Sequence, residues 1–133
     1  MLFGGEGRPR IRGRNDLILD VALYFDVVEG EGDAGAWRCH TLGYSYELQV
    51  LSGPSVLAFH FHRSLENVSY PHLHTRQYRS PVNLARAHIP SGRVPLEVVI
   101  RSAIQDLGVA PRRSDWSDVL DESERAWNRW RTW

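Results

Sequence analysis

The sequence predicts an α+β domain, an antiparallel sheet of about four to five strands followed by two C-terminal helices packed on one of its faces. Three observations predict it. In the first part of the chain, β-branched and aromatic residues gather in short runs punctuated by glycine and proline, the pattern of strands and turns. From Leu96 onward the apolar residues recur with the helical period instead. The 133 residues, 42% of them hydrophobic, suffice for one core and are too few for two.

Taken in order, residues 1–14, "MLFGGEGRPRIRGR", have little to pack and read as a flexible basic arm, which leaves 15–133 as a single α+β domain. The content of Asp16 to Val28 suggests a strand, and "EGEGDAG" is a glycine-rich acidic turn into a second strand near Trp37 to Leu51. After the turn signal "SGP", Val56 to Arg63 reads as a third strand and Pro71 to Tyr78 as a fourth. Leu96, Val99, Ile100, Ala103, Ile104 and Leu107 mark one face of a helix, with Pro95 suited to its first turn and Gly108 to its stop. A last helix is expected from about Ser117, with Val119, Leu120, Trp127 and Trp130 on one side and acids and arginines on the other. Its tryptophans, together with Trp116, suit the core or a homodimer contact better than a base-stacking platform.

The single cysteine, Cys39, excludes an internal disulfide, and no apolar run is long enough for a membrane span. A cytoplasmic protein with no membrane association is the expectation. The formal net charge is zero, and all 16 basic residues are arginine. Their distribution is uneven. Between Arg14 and Arg38 lie Asp16, Asp20, Asp26, Glu29, Glu31 and Asp33 with no base among them, so that end repels phosphate. The stretch from Leu57 to Arg113 is arginine-rich and holds every histidine except His40, a composition that favours an anionic ligand.

The histidines carry the chemistry. In "VLAFHFHR" strand alternation puts Leu57, Phe59 and Phe61 on one face and Ala58, His60 and His62 on the other. In "PHLHTRQY" it puts His72, His74, Arg76 and Tyr78 together. If "SLENVSY" closes a hairpin, pairing His60 with His74 and His62 with His72 brings four imidazoles onto one surface. Packed imidazolium ions repel, so at neutral pH such a cluster is mostly neutral, metal-bound or facing an anion. Each possibility is a different function, and a solvated sheet face that merely tolerates histidine is a fourth.

As a metal site, His60, His62, His72 and His74 offer the imidazole nitrogens that zinc, nickel, copper or iron take, with Glu66 the nearest carboxylate in sequence. "HFHRSLE" fits the first half of a cupin metal motif, whose second half is missing. As a metal-free centre the same four would act as general base and general acid on an RNA phosphodiester, with Arg76, Tyr78, His88 and Arg93 as phosphate or substrate contacts. "HIPSGR", residues 88–93, leads directly to the N-terminus of the first helix, where free N–H groups favour an anion. Ser91 and Cys39 have no base partner visible in sequence, so nothing points to nucleophilic catalysis.

Across residues 56–108, "FHFH", "PHLH" and "PLEVVIRSAI" resemble the histidine segments and following helix of the TumE-like toxins of bacterial toxin–antitoxin systems. That family's Arg-Tyr-Asp-Asn run is absent between the two histidine segments. The resemblance implies an RNA-directed toxic activity and a cognate antitoxin protein as partner. The alternative from another class is a non-catalytic, histidine-rich metal-binding or protein-interaction domain.

Overall fold

A computed structural model of the chain describes residues 10–11, 17–30, 35–51, 53–63, 68–75 and 87–130. Six strands form one sheet in chain order: β1 (Arg10–Ile11), β2 (Leu17–Glu29), β3 (Trp37–Val50), β4 (Ser55–His62), β5 (His72–Thr75) and β6 (Ile89–Pro90). Every neighbouring pair is antiparallel. Helices α1 (Leu96–Gln105) and α2 (Trp116–Trp130) follow, so the α+β expectation holds. Among the described residues no helix is long and apolar enough to cross a membrane.

The strands start and stop close to where composition places them, with two exceptions. β5 ends at Thr75, so Arg76 and Tyr78 lie outside the described residues, as does Glu66. The proline-containing β6 is additional, and proline is tolerated there because among the described residues the strand pairs through β5 alone, at the edge of the sheet. Part of the segment read as an arm is ordered: Arg10 and Ile11 pair with Ile18 and Leu17. The remainder of 1–14 lies outside the described residues.

Alternation decides which face is buried. Leu17, Leu19, Tyr44, Tyr46, Leu48 and Phe61 from β2, β3 and β4 form the core with Val99 and Ala103 of α1 and Val109 beyond it. The two helix residues belong to the periodic set that predicted α1, and Leu96, Ile100, Ile104 and Leu107 pack around them. Gly108 takes a positive φ of 72°, which turns the chain so that the Val109 N–H reaches back to the Ala103 carbonyl at 3.0 Å. At the other end of α1, the Val94 N–H donates to the Tyr44 hydroxyl at 3.1 Å, tying the chain before the helix to the centre of the sheet.

α2 lies against α1 more than against the sheet. Leu120 is its one buried residue among those described. Arg101 donates to Asp121 at 2.5 Å and to Ser117 Oγ at 3.3 Å, and the Ser123 hydroxyl donates to Glu97. Trp116 and Trp127 are half-buried, while Trp130 is exposed beneath the Arg129 guanidinium, 4.6 Å from its ring centroid. The tryptophans therefore divide between partial packing and open surface.

Leu48 is 1% exposed at the middle of this core. Replacing it with alanine removes buried methyl groups and leaves a void, so Leu48→Ala is expected to lower unfolding free energy by about 3 kcal/mol. Urea denaturation followed by far-ultraviolet circular dichroism measures it; a change under about 1 kcal/mol would place the core elsewhere.

Candidate histidine centre

The face away from the helices holds the histidines. Because Phe61 is buried and Phe59 packs against the core, His60 and His62 must project from the opposite side of β4. On β5 the same logic turns Leu73 and Thr75 toward Phe59 and Leu57, their direct partners, and His72 and His74 away. Sequence reasoning thus finds the right face.

It finds the wrong register. His60 pairs with His72, and His74 pairs with Ala58, two residues from the expected alignment. His62 therefore lies beyond the last β4–β5 pair, and its ring sits 6.2 Å from those of both His60 and Tyr24. The physical reason is a longer connection: β4 ends at His62 and β5 begins at His72, and the partner of His60 is the first residue of β5. Gly43, opposite His62 on β3, allows close approach here, since a Cβ at that position would lie 2.6 Å from the Phe61 carbonyl oxygen.

The two-residue offset tightens the cluster. Ring centroids are 5.6 Å apart for His60 and His72, 5.2 Å for His60 and His74, and 5.0 Å for His72 and His74. Ala58, small and 4% exposed, fills the position directly across from His74, and its short side chain lets the His60 and His74 rings approach diagonally. His88, just before β6, adds a further ring at 4.9 Å from His72 and 4.8 Å from His74. It is a member of the cluster.

Arg93 is elsewhere. Its guanidinium lies 4.5 Å from the centroid of Phe61, a core ring, which puts it on the helix side of the sheet. Between Pro90 and α1 the chain passes from the sheet edge to its helix-covered face, and Arg93 goes with it. The N-terminus of α1 and Arg93 therefore do not meet the histidines, and Arg76 and Tyr78 lie outside the described residues.

Two backbone carbonyls orient the rings. His72 is 4% exposed, and its Nδ1 lies 2.9 Å from the Tyr70 carbonyl oxygen. A carbonyl only accepts, so Nδ1 carries a proton, and Nε2 is the nitrogen left to act as a ligand or acceptor. His74 is hydrogen-bonded to the backbone of Ala87, which favours its protonated form, yet burial followed by the neighbouring His72 and His88 pulls its pKa below the ordinary histidine value. Burial followed by His74, His72 and His62 does the same to His60, with Glu47 opposing. Both are therefore neutral at pH 7.

One ring nitrogen from each of His60, His72 and His74 lies within 4.8 Å of the others. A tetrahedral zinc ion with bonds of 2.0–2.1 Å holds its nitrogens roughly 3.4 Å apart, so modest side-chain rotation closes these three onto an ion. Sequence inspection missed Ser45 and Glu47 beside this site. Ser45 is the direct partner of His60, and Glu47 of Ala58. The alternation of "YSYEL" on β3, with both tyrosines inward, was the available signal. The remaining histidine, His40, is apart, bonded to Arg63.

No family model matches the chain, and neither a curated protein nor a solved structure matches it.

The lowered pKa values of His60 and His74 have a definite sign in stability. As pH falls through about 6.5, the unfolded chain takes up protons that the folded chain refuses, so stability is complete above that pH and lost below it. Metal-free protein is expected to melt at lower temperature at pH 5.5 than at pH 7.5. His60→Gln should flatten the dependence; a wild-type melting temperature that is level or rises on acidification would contradict the two shifts.

Proposed function

We propose that this protein binds a divalent transition metal through His60, His72 and His74. The observation that carries the reading is the convergence of three imidazoles whose buried member, His72, has its Nδ1 against a backbone carbonyl and so turns Nε2 toward the cluster. Metal-ligating histidines are characteristically held this way, with the far N–H donated to an acceptor that fixes tautomer and ring orientation. The ligand type suits zinc, copper, nickel or iron and not calcium or magnesium. His88 flanks the site and either closes it as a fourth ligand or leaves that position to water. The metal would make a rigid tie across β4 and β5 and, with the fourth position open, would polarise bound water next to Glu47.

A second reading is favoured by the two lowered pKa values. Neutral His60 and His74 are proton acceptors at pH 7, and His62 and His88 rim them, so the cluster offers acid–base groups for cleaving an RNA phosphodiester without a metal. This is also the activity that the TumE-like resemblance implies, with an antitoxin as partner. It ranks second because Arg93, one of the two arginines expected on the phosphate, is on the other side of the sheet, and the other, Arg76, lies outside the described residues.

Metal analysis of untagged protein, followed by zinc titration, separates the two. About one ion per chain is expected, with His72→Ala weakening binding by more than the 10–100-fold that loss of a supporting group costs, and His40→Ala leaving it unchanged. Metal-free protein that does not take up zinc, yet cleaves RNA in strong chelator, would replace the first reading with the second.

A further inference from the structure

A cavity of about 520 Å³ opens on the helix side of the sheet, away from the histidines. Small-molecule sites occupy roughly 300–1,000 Å³. Trp37 of β3 and Trp127 and Trp130 of α2 give the cavity aromatic walls. Four polar side chains share its lining: Tyr44 and Tyr46 from the sheet, Arg93 from the segment before α1, and Glu97 from the first turn of that helix.

The two phenols have bonding capacity left over. Tyr46 is 5% exposed, and among the described residues nothing donates to its hydroxyl or accepts from it. The oxygen is nonetheless not sealed, so it opens onto the cavity that the residue lines. Tyr44, stacked on Tyr46 with ring centroids 4.7 Å apart, takes the Val94 N–H on its oxygen and still has its own proton to give. Burial pushes both phenols up, so both stay protonated at pH 7. A buried hydroxyl without a partner costs stability, and a ligand that bonds to it recovers that cost.

The charges act on the two phenols in opposite senses. Arg93 favours ionisation of Tyr44, and Glu97 opposes ionisation of Tyr46, which sets positive charge beside one hydroxyl and negative charge beside the other. Glu97 accepts the Ser123 hydroxyl on Oε1, which leaves Oε2 for another donor. Arg93 has contacts besides its stacking on Phe61, and it is its charge that bears on the cavity. An anion alone would face Glu97, a cation alone would face Arg93, and a wholly apolar molecule would leave both hydroxyls unbonded. A molecule with a ring and both charges meets all three conditions.

We propose that this cavity binds a small aromatic zwitterion, of the class of the free aromatic amino acids. Its carboxylate would lie toward Arg93 and Tyr44, its ammonium toward Glu97 and Tyr46, and its ring against the tryptophans. The site lies across the sheet from the histidine centre and stands whether or not that centre holds metal.

L-Phenylalanine is the probe, titrated into the full-length protein by isothermal calorimetry. Phenylpropanoate, which lacks the ammonium, and phenethylamine, which lacks the carboxylate, are its analogues. Phenylalanine is expected to bind saturably, one molecule per chain, and each analogue at least about tenfold more weakly, because each strands one charged partner. Tyr46→Phe removes a hydroxyl and keeps the ring, so it is expected to weaken phenylalanine binding about tenfold without lowering the melting temperature. Glu97→Gln, which can still accept from Ser123, should abolish the preference for phenylalanine over phenylpropanoate. Absence of saturable binding up to about 10 mM, equal binding of either analogue, or undiminished binding by Tyr46→Phe would each overturn the proposal. Binding seen only after removal of residues 131–133 would assign the cavity to the chain's own C-terminal segment and overturn it as well.

Discussion

Everything on the histidine face depends on the burial of the other face of β4. Phe61 packs with Tyr44 across the β3–β4 pair, and Phe59 and Leu57 face Tyr46 and Leu48 in the same way. Side chains alternate strictly, so no arrangement can bury these three and also bury His60 and His62. A one-residue slip would reverse both sets and put imidazoles among tyrosines and leucines, a cost in desolvation that the core cannot offset. The apolar half of the strand thus does the positioning. The histidines are placed by residues they never touch.

That constraint was legible because it is local. Alternation within "LAFHFH" and periodicity within "LEVVIRSAI" can be read without knowing what either element packs against, and both segments fold as their patterns demand. Pairing between strands is different. The same faces are preserved by any even offset, so alternation cannot distinguish His60 opposite His74 from His60 opposite His72. The connection after His62 chooses, and its sequence carries no hairpin signal strong enough to fix the offset. Arg93 lies apart from the cluster for a related reason. Its position near a helix N-terminus was readable, but which side of the sheet that terminus occupies follows from the helix's apolar face, which must cover Tyr44 and Leu48 and so carries Arg93 away from the cluster. His88 illustrates the converse: alone in the sequence it signals nothing, and only the short β6 pairing with β5 delivers it to His72 and His74.

Crowding four imidazoles would destabilise the fold if they were charged, and the structure avoids this by keeping water from the inner members. Burial is the larger influence on both His60 and His74, and neighbouring histidines add to it. Carbonyl acceptors complete the arrangement, since a buried neutral imidazole still has an N–H that must be satisfied. The result is a set of lone pairs at neutral pH, which is what both metal binding and proton abstraction require. The two chemistries part at the substrate. A metal supplies its own positive charge, whereas metal-free phosphodiester cleavage needs a cation beside the phosphate. With Arg93 seated on Phe61, that arginine is not the cation for this face.

The sheet is also uneven along its strands, and the unevenness has a cause. β4 pairs with β3 from Gly43 to Gln49, while β2 and β3 continue together out to Glu29 and Trp37. Beyond the bulge at Leu42 the two-stranded ribbon has no third strand beside it among the described residues, and isolated ribbons of this kind are marginal in water. Its apolar residues are correspondingly exposed: Val27, Trp37 and Val28 gain little from the core that Leu19 and Leu48 complete. Part of one side is covered where Trp127 and Trp130 of α2 approach Leu23 and Trp37 around a cavity of about 520 Å³. The surface the ribbon contributes is apolar on one side and acidic at its end, because residues there alternate without a core to close over them.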